Sequence, residues 1–174
     1  MTDLSLTILT ETVADAEPIE RLHERTFGPG RFARTAFRIR EGVPHQLDLS
    51  LTARIGTLLV GSVRLSPIRI GGTPALLLGP LTVEPPFRGR GIAKTLVLRS
   101  LELARTKGHR LVLLVGDEPY YGPLGFRPVK KGEMKMPGPV DPARLLIAEL
   151  ETGAAEGVRG AVQPDWDFAA PAAP

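Results

Sequence analysis

The spacing of apolar and polar residues predicts a chain of short strands and helices in its first half. Alternation with a period of two predicts a strand over residues 4–9. Apolar positions at helical spacing then predict a helix over residues 15–27, with Asp15 as its N-cap, and a second short helix over residues 31–40. Three further strands are expected over residues 47–55, 57–70 and 75–83, the last two joined by a Gly71-Gly72 turn.

The pattern changes in the second half, where a helix lies between two strands. The helix predicted over residues 91–107 places apolar side chains on one face, at positions 92, 93, 96, 97, 101 and 104, which we expect to form core. Residues 111–115 are all apolar, which is typical of a strand buried on both faces. Residues 75–115 therefore predict a strand–helix–strand unit with parallel strands.

A turn or short helix over residues 118–124 and strands over residues 125–129 and 144–151 complete the expected elements. Their order predicts an α+β fold with a mixed, mostly antiparallel sheet flanked by helices. The 174 residues suit one domain, expected over residues 1–151. Residues 152–174 are rich in Gly, Ala and Pro, and we expect them to form a tail that packs on the domain, with mobile last residues.

Composition removes several classes of function. The chain has no cysteine, which excludes disulfides, thiolate metal sites and a cysteine nucleophile. Its first twelve residues carry two acids and no base, unlike a signal peptide, and no apolar run is long enough for a membrane helix. The three histidines share no ligand spacing, so no metal is expected. Scattered arginines, a net charge of +3 and 5% aromatic residues argue against nucleic-acid binding. We expect a cytoplasmic protein without a membrane partner.

The segment from Val83 to Ala93 carries the clearest chemistry, because it joins the end of a strand to the start of a helix. Such a junction presents free backbone N–H groups and the positive end of a helix dipole. Gly89 and Gly91 allow close approach of a ligand, and Arg88 and Arg90 add charge. The sequence indicates a phosphate or pyrophosphate site here, with a plain glycine-rich connection as the alternative. Neither the P-loop nor the Rossmann pattern fits this loop.

Two motifs resemble those of the GNAT superfamily of acetyl-coenzyme A-dependent N-acetyltransferases. Arg88-x-x-Gly91-x-Ala93 matches its [QR]-x-x-G-x-[GA] signature. Downstream, Tyr121 stands five residues before the Phe of the Gly125-Phe126 pair, as in the second hallmark of the family. Together with the Leu78-Gly79-Pro80-Leu81 segment, these motifs resemble the YhbS-type branch, over residues 4–151. The resemblance implies the GNAT fold, with the strand–helix–strand unit holding the cofactor.

The resemblance also implies a site for acetyl-CoA. The backbone amides of Arg88, Gly89, Arg90, Gly91, Ile92 and Ala93 would hold its pyrophosphate, and the strand containing Leu81 and Val83 would pair with its pantetheine arm. Gly79-Pro80 supports this on physical grounds, because proline has no N–H to donate and favours a bulge that would open a slot beside the strand at 111–115. A kink that only adds curvature is the alternative.

The expected reaction transfers an acetyl group from acetyl-CoA to a primary amine by direct attack, without a covalent enzyme intermediate. The developing oxyanion needs an N–H donor, for which the backbone of Leu81 is the candidate. The family pattern places the general acid at Tyr121, with Tyr120 as the neighbouring alternative. No carboxylate stands in the strand over residues 75–83, so the candidate bases are remote: His45, Asp48, Asp117 and Glu118.

The acceptor stays open at this point, from small amines to peptides. The resemblance implies that residues 28–46 and 130–142 bind it, and the first of these carries arginines at 31, 34, 38 and 40. It also admits a homodimer, for which Trp166 is either a contact or an anchor of the tail. The alternative function is a non-catalytic acyl-CoA-binding regulatory module of the same fold.

Overall fold

The predicted helices and strands follow one another along the chain in the expected order. The computed structural model describes residues 5–171. Within these residues the α-helices are α1 (Ala16–Phe27), α2 (Thr35–Glu41), α3 (Ile92–Thr106) and α4 (Glu118–Tyr121). The strands are β1 (Leu6–Thr10), β2 (Leu51–Ile55), β3 (Leu58–Ile70), β4 (Thr73–Val83), β5 (Leu111–Val115), β6 (Arg127–Pro128), β7 (Met134–Lys135), β8 (Leu145–Glu149) and β9 (Gly160–Pro164). Position 4 of the predicted first strand and positions 172–174 of the predicted mobile end lie outside the described residues.

The strands form one mixed sheet in the order β1-β2-β3-β4-β5-β8-β6. Adjacent strands along this path are antiparallel, except that β4 and β5 are parallel and joined by α3. This confirms the predicted α+β class and the strand–helix–strand unit. One edge of β3 pairs with β2 at its first residues and with β9 at its last residues. Strand β9 also pairs with β7.

Apolar side chains on the two faces of the sheet form separate cores. Leu76, Leu78, Val112 and Leu114 face α3, while Leu77 and its neighbours on β5 face α2 and the C-terminal residues. Helix α3 buries Leu96, Val97, Leu101 and Ala104 in the first core, as its apolar stripe predicts. Strand β5 contributes to both cores, as expected from its continuous apolar run.

The N-terminal elements differ from the prediction in detail. The predicted helix over 31–40 is a 3-10 turn, Pro29–Ala33, followed by the shorter α2. The carboxylate of Asp15 does not cap α1, because it accepts from the backbone N–H of Thr12 at 2.8 Å and so closes the preceding turn. Residues 47–49 form a 3-10 turn before β2 rather than its first part.

Two strands, β7 and β9, have no counterpart in the prediction. Both are short, and β9 lies in the Gly-, Ala- and Pro-rich segment after residue 151. Val158 and Val162 of this segment are buried in the core against α2. Trp166 is 65% exposed, and its indole Nε1 lies beside Gly42 at the end of α2.

Candidate active site

A bulge in β4 separates this strand from β5. Val63 of β3 faces Leu81 and Leu65 faces Leu78, so Gly79 and Pro80, joined by a cis peptide bond, stand opposite the single residue Arg64. Pairing of β4 with β5 involves only Leu76 and Leu77 of β4 and ends before the bulge. The two parallel strands therefore diverge beyond Leu77, and a gap opens between them, as the Gly79-Pro80 pair predicts.

The backbone of Leu81 and Val83 faces this gap. Thr82 lies opposite Ser62 on β3, and the N–H of Glu84 donates to the carbonyl of Val60 at 2.8 Å. In an antiparallel pair, alternate residues point their N–H and C=O groups toward the partner strand. Because residues 82 and 84 point toward β3, the polar groups of Leu81 and Val83 point away from it, toward the opening. The gap thus has a strand edge that can pair with an extended ligand.

The loop after β4 presents a row of unpaired backbone donors. Gly89 and Gly91 adopt φ angles of +80° and +79°, which L side chains rarely adopt, and a 3-10 turn over Pro85–Phe87 precedes them. Within residues 5–171, the N–H groups of residues 89–93 donate to no backbone or side-chain acceptor. They stand at the N-terminus of α3, where the helix dipole is positive. This geometry can hold an anion such as a pyrophosphate.

The side chains of the loop have different roles. Arg88 donates from Nε to the carbonyl of Val83 at 3.1 Å, which ties the loop to the end of β4. Arg90 is exposed and lies over the ring of Phe87, 5.2 Å from its centroid. Ile92 is buried in the core beneath α3. Ile92 can therefore reach a ligand only through its backbone.

A cavity of about 1240 Å³ connects the gap with α1, α2 and the loops around them. Of the predicted site residues, Leu81, Arg88 and Tyr121 line this cavity. Val83 and residues 89–93 do not, and they lie along the edge and the loop that lead into it. The cavity is long enough to bring together the β4 edge, the end of β5 and the segment over residues 28–46 that the family resemblance connects with the acceptor.

Tyr121 lies at the end of β5, on the short helix α4. Its ring packs so closely on Gly116 that a Cβ there would overlap it, and it meets the rings of Tyr120 and Phe126 edge-on at 4.8 and 5.8 Å between centroids. Burial, with the neighbouring Tyr120 and Asp117, raises the pKa of Tyr121 to about 12. The phenol therefore keeps its proton at neutral pH and can donate it or a hydrogen bond into the cavity.

The four candidate bases divide into two groups. His45 and Asp117 line the cavity, whereas Asp48 is paired with Lys107 at 2.9 Å on the surface and Glu118 is exposed on α4. Asp117 is held by Arg144, at 3.0 Å. His45 is held by the buried carboxylate of Glu11 through Nε2. His45 is thus the candidate with a second ring nitrogen left for the cavity.

Glu11 and Arg64 are parts of the site that the sequence did not point to. Arg64 donates from Nε to Glu11 at 2.8 Å, on the side opposite His45. Burial alone would raise the pKa of Glu11, but hydrogen bonds from His45 and Arg64 outweigh burial and lower it. The signal that could have revealed Arg64 is the spacing Ser62, Arg64, Ser66, since alternate residues of a strand share one face.

Within the described part of the chain, no group of three or more His, Asp or Glu side chains is placed to hold a metal ion. Across the same residues, no helix is long and apolar enough to cross a membrane.

Comparison with known proteins assigns this architecture to a class. The Acetyltransferase (GNAT) family pattern matches residues 12–126, which include β4, the loop with Arg88 and Gly91, α3 and Tyr121. The chain therefore belongs to the GNAT family of acetyltransferases.

Particular relatives cover nearly the whole chain. The uncharacterized N-acetyltransferase YhbS of Escherichia coli strain K12 is 28% identical over 158 residues, 90% of this chain and 94% of that protein. The crystal structure of Escherichia coli YhbS in complex with CoA superposes with a TM-score of 0.81 at 25% identity, covering 100% of this chain and 98% of that one. A GNAT family acetyltransferase from Brucella melitensis, in complex with acetyl-CoA, has a TM-score of 0.59 at 25% identity, covering 88% and 99%.

Proposed function

We propose that the protein is an N-acetyltransferase that transfers an acetyl group from acetyl-CoA to the primary amine of an acceptor. The observation that carries this proposal is the backbone edge of Leu81 and Val83 beside the gap between β4 and β5, where Arg88 holds the carbonyl of Val83 and the N–H groups point to the opening. This edge leads to the unpaired N–H groups of residues 89–93. The solved relatives with CoA and acetyl-CoA support the same ligand.

The cofactor would lie along this edge. The backbone of Leu81 and Val83 would hydrogen-bond its pantetheine amides, as an added strand does. The free N–H groups of Gly89, Arg90, Gly91, Ile92 and Ala93 would hold its pyrophosphate. Arg88, whose own N–H donates to the carbonyl of Pro85 at 3.2 Å, would keep the loop against β4 through its side chain. The thioester would then lie near the bulge, within the cavity that Tyr121 also lines.

The reaction needs three contributions from the chain. The amine forms a bond to the thioester carbonyl, and the backbone N–H of Leu81 stabilises the negative charge that develops on the oxygen. The carbon–sulfur bond breaks, and the phenol of Tyr121 donates its proton to the leaving thiolate. The amine's proton passes to His45, which Glu11 orients, or to water. The products are the acetamide and CoA.

Calorimetric titration of the purified protein with acetyl-CoA, CoA, ATP and NAD tests the proposal. We expect acetyl-CoA and CoA to bind with micromolar affinity, because only they can use both the strand edge and the loop. ATP and NAD are the matched controls, since they carry phosphates without a pantetheine arm. If neither acetyl-CoA nor CoA binds, the proposed function is contradicted. If all four compounds bind, the site is only a general phosphate-binding loop.

A further inference from the structure

Arg40 reaches the bulge of β4 from the last turn of α2. Its guanidinium lies directly over Gly79, so closely that a Cβ on that residue would overlap the Nη2 atom. Gly79 has a φ angle of +133° and no side chain, and this leaves the space that the guanidinium fills. Arg40 and Gly79 both line the cavity. A cationic side chain is therefore placed against the point where β4 leaves β5.

Within residues 5–171 this guanidinium has no anionic partner. Three other arginines that line the cavity are paired with carboxylates: Arg31 with Glu20 at 2.8 Å, Arg64 with Glu11 at 2.8 Å and Arg144 with Asp117 at 3.0 Å. Arg34 and Arg88 also line the cavity, but both are exposed, and they lie against the ring of Phe27 and the carbonyl of Val83. For Arg40, no carboxylate within residues 5–171 lies within salt-bridge distance, and its buried Nε has no hydrogen-bond partner. A partly buried cation without a partner is unfavourable to the fold.

The surroundings of Arg40 make its positive charge unfavourable when no anionic ligand is bound. Burial, together with the charges of Arg34 and Arg64, lowers the pKa of Arg40 to about 10, which still leaves it charged at neutral pH. His23 and Ser66 also line the cavity, and within residues 5–171 the Nε2 of His23 and the Oγ of Ser66 are fully buried and have no partner. The group on this wall that can bind an anion is therefore the guanidinium of Arg40.

We propose that the acceptor is a small amine that carries an anionic group, a carboxylate or a phosphate, and that Arg40 binds this group. The inference rests on the proposed function and narrows its substrate class. The anion is placed on the acceptor because the phosphates of CoA have their own loop beyond Val83, whereas Arg40 lies at Gly79, before Leu81. Leu81 stands two positions after Gly79, which places the two residues within about 7 Å of each other, so a short spacer joins the anion to the amine.

Matched pairs of amines test this substrate class through the release of CoA from acetyl-CoA. Each pair contains an anionic amine and its neutral counterpart: α-amino acids with their amides, and O-phosphoethanolamine with ethanolamine. We expect kcat/KM to favour the anionic member of the best pair by about tenfold or more. The carboxylate and phosphate pairs show which of the two anions the site takes.

Arg40→Met removes the charge, and Arg38→Met is its matched control. Arg38 lies on the same helix, is exposed and is not part of the cavity wall. We expect Arg40→Met to bring the ratio between anionic and neutral amines close to one while its affinity for CoA stays unchanged. Arg38→Met should keep the ratio of the wild type. A preference for neutral amines, or a ratio that Arg40→Met does not change, would overturn the proposal.

A measurement without turnover separates failure of this inference from failure of the proposed function. Phosphate or L-glutamate, compared with sodium chloride at equal ionic strength, should raise the Tm of the CoA-saturated wild type and not that of Arg40→Met. Equal shifts in the two proteins would overturn the anion site even if no amine reacts. Loss of CoA binding in Arg40→Met would also overturn it, because Arg40 would then serve the cofactor. Failure of the wild type to bind CoA would contradict the proposed function itself.

Discussion

At the scale of single residues, the chemistry of the site depends on what burial does to a few polar groups. Tyr121 is a phenol whose pKa rises to about 12 because it is packed between Gly116, Tyr120 and Phe126. Its neighbour Tyr120 is 45% exposed. The two tyrosines are adjacent in sequence and both line the cavity, but Tyr121 is the more enclosed of the two, with its ring packed against Gly116 and Phe126.

Substitution of Tyr121 by Phe is predicted to lower kcat by about 100-fold, the lower end of the range for general acid–base catalysis. The ring and its packing stay, so we expect the affinity for CoA to be unchanged. Tyr120→Phe is the matched control and should retain the activity of the wild type. Steady-state kinetics and calorimetry on both variants give the comparison. Full activity in Tyr121→Phe would exclude Tyr121 as the general acid. A wild type that binds CoA but transfers no acetyl group would instead favour the non-catalytic CoA-binding module.

The sequence points to part of this site directly. Arg88, Gly91 and Ala93 stand close together in the chain, and so do Tyr121 and Phe126, so a local motif is enough to mark them. Glu11, His45 and Arg64 come from three distant segments that meet only in the folded protein. His45 lies 34 positions from Glu11 along the chain, and Arg64 lies 53 positions from it. Contacts across such separations have no local signature, which is why the sequence pattern indicates His45 without its partners.

At the scale of elements, hydrophobic periodicity identifies those that bury one face or both. It predicts α3 and β5 well, because α3 has a clear apolar stripe and β5 is apolar throughout. It misses β9, whose five residues include Gly160 and Pro164 and only one buried side chain, Val162. What makes β9 a strand is the free edge of β3 at Ile68–Ile70, beside which this segment lies.

A chain that ends at Glu151 tests the contribution of this last segment. It lacks β9, the buried Val158 and Val162, and the ion pair of Asp165 with Arg69 at 3.1 Å. Loss of two buried valines and a strand is predicted to lower Tm by about 10 °C or more. Thermal unfolding of this chain is compared with that of a chain ending at Pro171, which retains every one of these contacts. Equal Tm values would show that residues 152–171 are only a loosely attached tail.

At the scale of the whole molecule, the sheet has one apolar side and one side that is partly polar. Helix α3 covers its face with a continuous apolar core. On the other face, α1 and α2 cover Ser62, Arg64 and Ser66 of β3 as well as apolar residues. The second arrangement leaves buried polar groups without partners, among them the Nε2 of His23. The face under α3 is therefore apolar throughout, whereas the face under α1 and α2 encloses the cavity beside an apolar core.

The pH dependence of stability reports on this polar face. Burial, followed by the charge of Arg64, lowers the pKa of His23 to about 4 from 6.5. As pH falls below 6.5 the unfolded chain binds a proton at this residue that the folded chain does not, so the folded state loses stability. We predict that His23 alone lowers the free energy of unfolding by about 1 kcal/mol between pH 7.5 and 5.5.

Urea unfolding of the wild type and of His23→Gln at these two pH values measures the effect. The variant should lose less stability on acidification than the wild type. His109, whose pKa burial also lowers, contributes in the same direction and is present in both proteins. The same loss of stability in both would show that His23 is accessible to protons in the folded state.

The sequence by itself determines the class of fold, the strand–helix–strand unit, the glycine-rich loop within it and the place of Tyr121 after β5, because each depends on neighbouring residues or on a local period. Only the tertiary structure decides where β9 lies, how Glu11 and Arg64 hold His45, and that Arg40 lies over Gly79 with no carboxylate partner within residues 5–171. The physical reason is that burial and the pairing of charges depend on which distant segments meet. A sequence shows that an arginine is present, and the fold decides whether it has a partner.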